Sequence, residues 1–96
     1  MVYFTVRADI ANGKEDELDH FLGDEAKAFW LSQPGVGGFH VYGDALVGWP
    51  ERTVMVEVED MAALHRILES PDRKRLRSKF LSLTTQVSSQ IQDKLI

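Results

Sequence analysis

Two stretches of strict alternation constrain this chain more than anything else in it. In residues 2–10, Val2, Phe4, Val6, Ala8 and Ile10 fall on one side, and Tyr3, Thr5, Arg7 and Asp9 on the other. In residues 52–59, Val54, Val56 and Val58 alternate with Thr53, Met55, Glu57 and Glu59. Side chains on a strand point to opposite faces in turn, so each stretch is a strand with one apolar face. Such strands need neighbours at their edges and a cover on one side only. That is the antiparallel sheet with a single buried face.

The cover is written between and after the two strands. Leu18, Phe21, Leu22, Ala26 and Phe29 recur at helical spacing, which predicts a helix over 13–32. Asn12 is placed to cap it, and Glu15, three residues on, to reach back. Ser32-Gln33-Pro34-Gly35 stops it. Asp60 caps a short helix whose expected inner face is Met61, Leu64 and Leu68. Ser70-Pro71 starts another, with serine as cap and proline at the first helical position. Leu76, Phe80 and Leu83 give that helix its inner face. Residues 36–43 read as the second strand, joined to the third by a long loop over 44–51. In the tail, Val87, Ile91 and Leu95 fit either a helix or a strand. The β-branched and serine content, and an open sheet edge to cover, favour a fourth strand.

The order is β-α-β-β-α-α-β. It predicts an α+β, ferredoxin-like fold: a four-stranded antiparallel sheet with helices on one face. The chain has 96 residues, the size of one domain, with 44% apolar and 27% charged residues. Its net charge of -4 argues against a nucleic-acid partner. No apolar run is long enough for a membrane span, and none is expected as a partner. There is no cysteine, hence no disulfide or thiolate chemistry, and a reducing cytoplasm is the expected location.

Five of the seven glycines fall in residues 34–50, PGVGGFHVYGDALVGWP. No Gly-Lys-Ser/Thr follows and no helix opens there, so this is neither a phosphate loop nor a dinucleotide fingerprint. It reads as a turn and a strand in which Gly37 and Gly38 allow a bend or a close backbone approach.

Taken together, PGVGGFHVYG, RTVMVEVEDMAALHRILESPDRKRL and the flanking strands resemble the dimeric α+β barrel superfamily, including its antibiotic-biosynthesis-monooxygenase-like members and small uncharacterised ones. The resemblance spans nearly the whole chain, residues 1–96 as one domain. It implies that two copies join their sheets into a barrel, so the first expected partner is a second copy of the chain. It also implies a small-molecule cavity, used for binding or by a cofactor-free monooxygenase or isomerase. The haem-degrading members carry an asparagine on the first strand and a tryptophan near the end of the third. Both are missing here, and only His65 matches their helical histidine. No cofactor is therefore expected.

The candidate site residues follow. His40 and Tyr42 share one face of the second strand and are the candidate catalytic pair, able to relay a proton or orient a carbonyl. A hydrogen-bonded pair at a dimer or sheet surface is the blander reading of the same residues. Their face depends on hairpin parity. An even sum of paired residue numbers puts them with Val54 and Val56 towards the helices, and an odd sum with Thr53, Met55 and Glu57. Arg7 is a candidate substrate anchor or a cross-strand partner of Glu57. Trp30 and Trp49 are candidates to roof a pocket, and His65 to look into it; each also reads as an ordinary boundary residue. Asp16, His20 and Asp24 stand at four-residue spacing, but a solvated helix face explains them and no metal is expected. Arg73, Lys74, Arg75, Arg77 and Lys79 form a basic face, either an anion site or a solvated surface.

Overall fold

The two alternating stretches form the two inner strands of the sheet. A computed structural model of the chain describes residues Met1–Ile96. Its elements are β1 (Val2–Ile10), α1 (Glu15–Phe21), a π-helical turn (Leu22–Ala26), α2 (Lys27–Leu31), β2 (Val36–Gly43), β3 (Arg52–Val58), α3 (Met61–Leu68), α4 (Pro71–Ser82) and β4 (Thr84–Asp93). The strand order is β2-β3-β1-β4, and every pairing is antiparallel. This is the ferredoxin-like α+β architecture, and the tail is its fourth strand.

The helices cover one face. Val2, Phe4, Val54, Val56 and Val58 meet Leu18, Phe21, Leu22, Ala26, Trp30, Ala63, Leu64, Ile67 and Leu83 in a single core. Leu18, Leu64 and Val56 are wholly buried.

The long helix expected over 13–32 is real but differs at its start and middle. Asn12 does not cap it. Residues 11–14 form a tight turn in which Gly13 takes a φ of 75° and the Lys14 N–H donates to the Ala11 carbonyl at 2.9 Å. Asn12 is used in that turn, and Lys14 becomes the capping position without a side-chain hydrogen bond. Glu15, Asp16 and Glu17 then complement the positive end of the helix dipole. The middle is widened by the π turn. Leu18, Leu22, Ala26 and Trp30 repeat every four residues, a series that drifts about 40° per step around an α-helix. A wider turn takes up the drift, and Trp30 stays on the core side at 5% exposure.

The other two caps hold. Asp60 accepts from the Ala63 N–H at 2.8 Å, and Ser70 from the Arg73 N–H at 3.2 Å. The buried face of α3 is Ala63, Leu64 and Ile67; Met61 is half exposed, so the expected face is rotated.

The pairing of Arg7 with Glu57 does not form. β1 and β3 align Tyr3 with Glu57 and Arg7 with Thr53. Four residues along a strand separate Arg7 from Glu57's level by about 13 Å. Arg7 Nη1 instead donates to Gln90 Oε1 at 2.9 Å, across to β4.

Candidate functional site

Between the helices and the sheet the core is incomplete. A cavity of about 80 Å³ remains, lined by sixteen residues of which thirteen are hydrophobic. Its floor is the apolar face of the sheet: Phe4 and Val6 from β1, Phe39 from β2, Val54 and Val56 from β3. Its roof is Phe21, Leu22, Ala26 and Trp30, so the π turn supplies part of the wall. The Trp30 ring stands 5.8 Å from Phe4, tilted by 36°, and 5.5 Å from Phe29, edge-on. These contacts fix the indole as a rigid wall.

One side of the cavity is α4. The residues that reach it are Arg73, Leu76, Arg77, Phe80 and Leu81, which is the i, i+3, i+4, i+7, i+8 stripe of one helix face. The mouth lies between α4 and β4, where Arg77, Leu81, Val87 and Ser89 line the cavity and are exposed.

Arg73 is half-buried, and its guanidinium carbon lies 5.8 Å from the centre of the Phe4 ring. Burial pulls its pKa below the usual arginine value, and the Arg77 charge pulls the same way. It remains a cation at neutral pH, since arginine starts so high.

The opposite face of the sheet carries His40 and Tyr42. Val36 pairs with Val58, but Gly38 pairs with Glu57, His40 with Met55 and Tyr42 with Thr53. The step between these registers is a bulge at Gly37. It makes the pairing sum odd beyond that point and turns His40 and Tyr42 to the face away from the helices. There His40 Nε2 lies 2.9 Å from Glu57 Oε2. The His40 and Tyr42 rings stack at 6.3 Å. Thr5, wholly buried on this face, donates to Gln92 at 3.0 Å.

The six site residues expected from sequence therefore scatter. Trp30 alone lines the cavity. His40, Tyr42 and Arg7 lie on the other sheet face. His65 points to solvent, 3.3 Å from Glu69. Trp49 is half exposed in the 44–51 loop, beside a broad hollow of about 420 Å³ lined by Asp9, Glu15, Glu51 and Arg52 among others. His20 meets Asp24 at 3.9 Å, fully on the surface, and no three acidic or histidine side chains converge as metal ligands would. No helix is long and apolar enough to cross a membrane.

Sequence reasoning missed Arg73 and Arg77 as cavity residues. The signal was present. Taking positions 73, 76, 77 and 80 as one stripe puts both arginines on the inner face, whereas taking the basic run as a unit puts them in solvent.

No protein-family model and no curated protein sequence matches the chain. Solved structures do. SnoaB, a cofactor-independent oxygenase from Streptomyces nogalater, superposes with a TM-score of 0.85 at 19% identity, over 99% of this chain and 93% of that one. A protein of Arabidopsis thaliana superposes at 0.85 with 15% identity, over 100% and 97%. A DABB family protein with a ferredoxin-like fold from Mesorhizobium loti gives 0.78 at 16%, over 99% and 97%. At these identities the likeness is one of fold, and the fold is the one that the resemblance implied.

Proposed function

We propose that this protein is a homodimer that takes a small apolar or aromatic molecule into the cavity between its sheet and its helices. The observation that carries this reading is the lining. Thirteen hydrophobic side chains and one unfilled space sit where a packed core would close. At about 80 Å³ the space suits a short aliphatic chain or a single ring once its lips yield, and nothing polycyclic. Exposed Leu81 and Val87 form the lips. The dimer would use the uncovered sheet face, where Tyr42, Met55 and the His40–Glu57 pair present a mixed polar and apolar surface.

Native mass spectrometry of gently purified protein tests both parts. The reading expects two 10.9 kDa chains with a reproducible small added mass. A bare monomer would remove the support for the barrel and for a retained ligand alike.

A second reading is turnover by a cofactor-free monooxygenase or isomerase. It is favoured by the carboxylate–imidazole pair of Glu57 and His40, able to accept and return a proton, with the Tyr42 ring stacked on the imidazole. SnoaB, with the same fold, is a cofactor-independent oxygenase. Tyr42→Phe separates the readings once a substrate is in hand. Lost turnover in an intact dimer supports catalysis; full turnover takes Tyr42 out of it.

A further inference from the structure

The stripe of α4 that faces the cavity contains an anomaly. Three of its five members, Leu76, Phe80 and Leu81, are apolar as a helix face against a core should be. The other two are Arg73 and Arg77. The protein has fifteen acidic residues against eleven basic ones, so carboxylates are plentiful. The structure uses them on other cations: Arg52 on Asp19, Arg75 on Asp72, Lys79 on Glu25. Neither Arg73 nor Arg77 has such a partner. Arg73 is half-buried over the Phe4 ring, one helical turn from a second positive charge. A desolvated cation beside a like charge, with no anion to meet it, is costly to keep.

We infer that the molecule held in this cavity carries a carboxylate, which docks at Arg73 and Arg77 while its apolar body enters between Phe4, Trp30 and Phe80. The inference rests on the cavity-binding reading above and narrows it to monocarboxylates of one ring or a short chain. The geometry supplies each part. The apolar lining takes the body. Arg77 is among the exposed residues at the mouth, and Arg73, one turn back along α4, lies half-buried over the Phe4 ring. A guanidinium fork accepts a carboxylate through two parallel N–H···O bonds, which point charges do not. The half-burial of Arg73 makes its bonds stronger than they would be at an exposed lysine. The alternative is that the two stems merely cover apolar surface, with Arg73 held by the Phe4 ring.

Calorimetric titration with benzoate and with benzamide, its uncharged isostere, decides the matter. Amide chemical shifts at Trp30 and Phe80 locate the binding. We expect both probes to enter the cavity, benzoate about ten-fold tighter or more, with an affinity that falls as salt is raised. Arg73→Met keeps the stem and removes the charge. It should bring benzoate within about two-fold of benzamide and leave benzamide unchanged, and Arg77→Met should do so in part. Arg73→Met should also raise the melting temperature of the free protein, because an unpaired charge is removed; a purely structural arginine would lower it. Equal binding of the two probes, or a benzoate preference that survives both substitutions, overturns the anion assignment and leaves the cavity reading standing. Binding of neither probe at the cavity residues overturns both.

Discussion

Gly38 and Glu57 face each other across β2 and β3 so closely that a β-carbon at position 38 would collide with the Glu57 carboxylate and come within 3.0 Å of His40 Nε2. The missing side chain is what lets the carboxylate and the imidazole meet. Two adjacent glycines thus do different work. Gly37 is the bulge that turns His40 outward, and Gly38 is the space in which its partner lies.

Gly38→Ala should therefore break the His40–Glu57 pair while the fold survives. The colliding atom is the tip of a flexible side chain, which can swing away. The expected loss is about 0.5–1 kcal/mol, a fall of a few degrees in melting temperature. Thermal unfolding gives the first number, and a changed His40 ring signal in NMR reports the broken pair. An unchanged ring signal would mean that the pair forms without the space.

Arg52 holds Asp19 through two bonds of 2.8 and 2.9 Å, tying α1 to the start of β3. The hydrogen bonds from Arg52 hold the Asp19 carboxyl below the usual carboxylate range, against a smaller opposing effect of burial. A depressed carboxyl contributes stability above its unfolded-state value and loses it as pH falls through the folded one. Asp19→Asn should then cost about 1 kcal/mol at pH 7, a modest figure because the Asp19 side chain is 45% exposed. Urea unfolding across pH should show that difference constant down to about pH 4 and vanishing below it. A difference that grew on acidification would contradict the sign.

The rotated face of α3 has its own test. Leu64 is wholly buried and Met61 half exposed. Leu64→Ala should cost about 3 kcal/mol, and Met61→Ala within about 0.5 kcal/mol in the free chain. Denaturant midpoints at equal slope measure both. Comparable losses at the two positions would restore the face expected from sequence.

Met55 lies on the inner strand β3, on the sheet face that no helix covers. If the proposed dimer pairs through this face, Met55→Asp should leave the far-UV circular dichroism of the folded chain in place and shift sedimentation towards a single chain, since a charge would be buried unpaired at the contact. An unshifted dimer would place the subunit contact elsewhere.

Element order, the two strand faces and the caps at Asp60 and Ser70 were legible in the sequence, because each rests on local periodicity or a short capping pattern. What was hidden turns on strand register, on a single extra residue in a ladder or a helix, and on charge at positions that face inward. The bulge at Gly37 reverses the face of His40 and Tyr42, and a pattern of period two cannot tell whether a glycine is counted in the ladder or skipped. The Arg7–Glu57 pairing failed on register, which strand faces do not fix. The π turn follows from the four-residue repeat of Leu18, Leu22, Ala26 and Trp30, a signal that an α-helical template absorbs as scatter. Arg73 and Arg77 were obscured by their own charge, which invites a solvent-facing reading of residues that line a cavity.

The most direct test of the central claim is an amide and indole chemical-shift survey of the protein against a panel of single-ring aromatic compounds. A ring held in the cavity shifts the Trp30 indole N–H and the amides of Leu22, Phe39, Leu76 and Phe80, and leaves His40 and Tyr42 little affected. Shifts confined to His40, Tyr42 and Met55, or none for any compound, would contradict that claim.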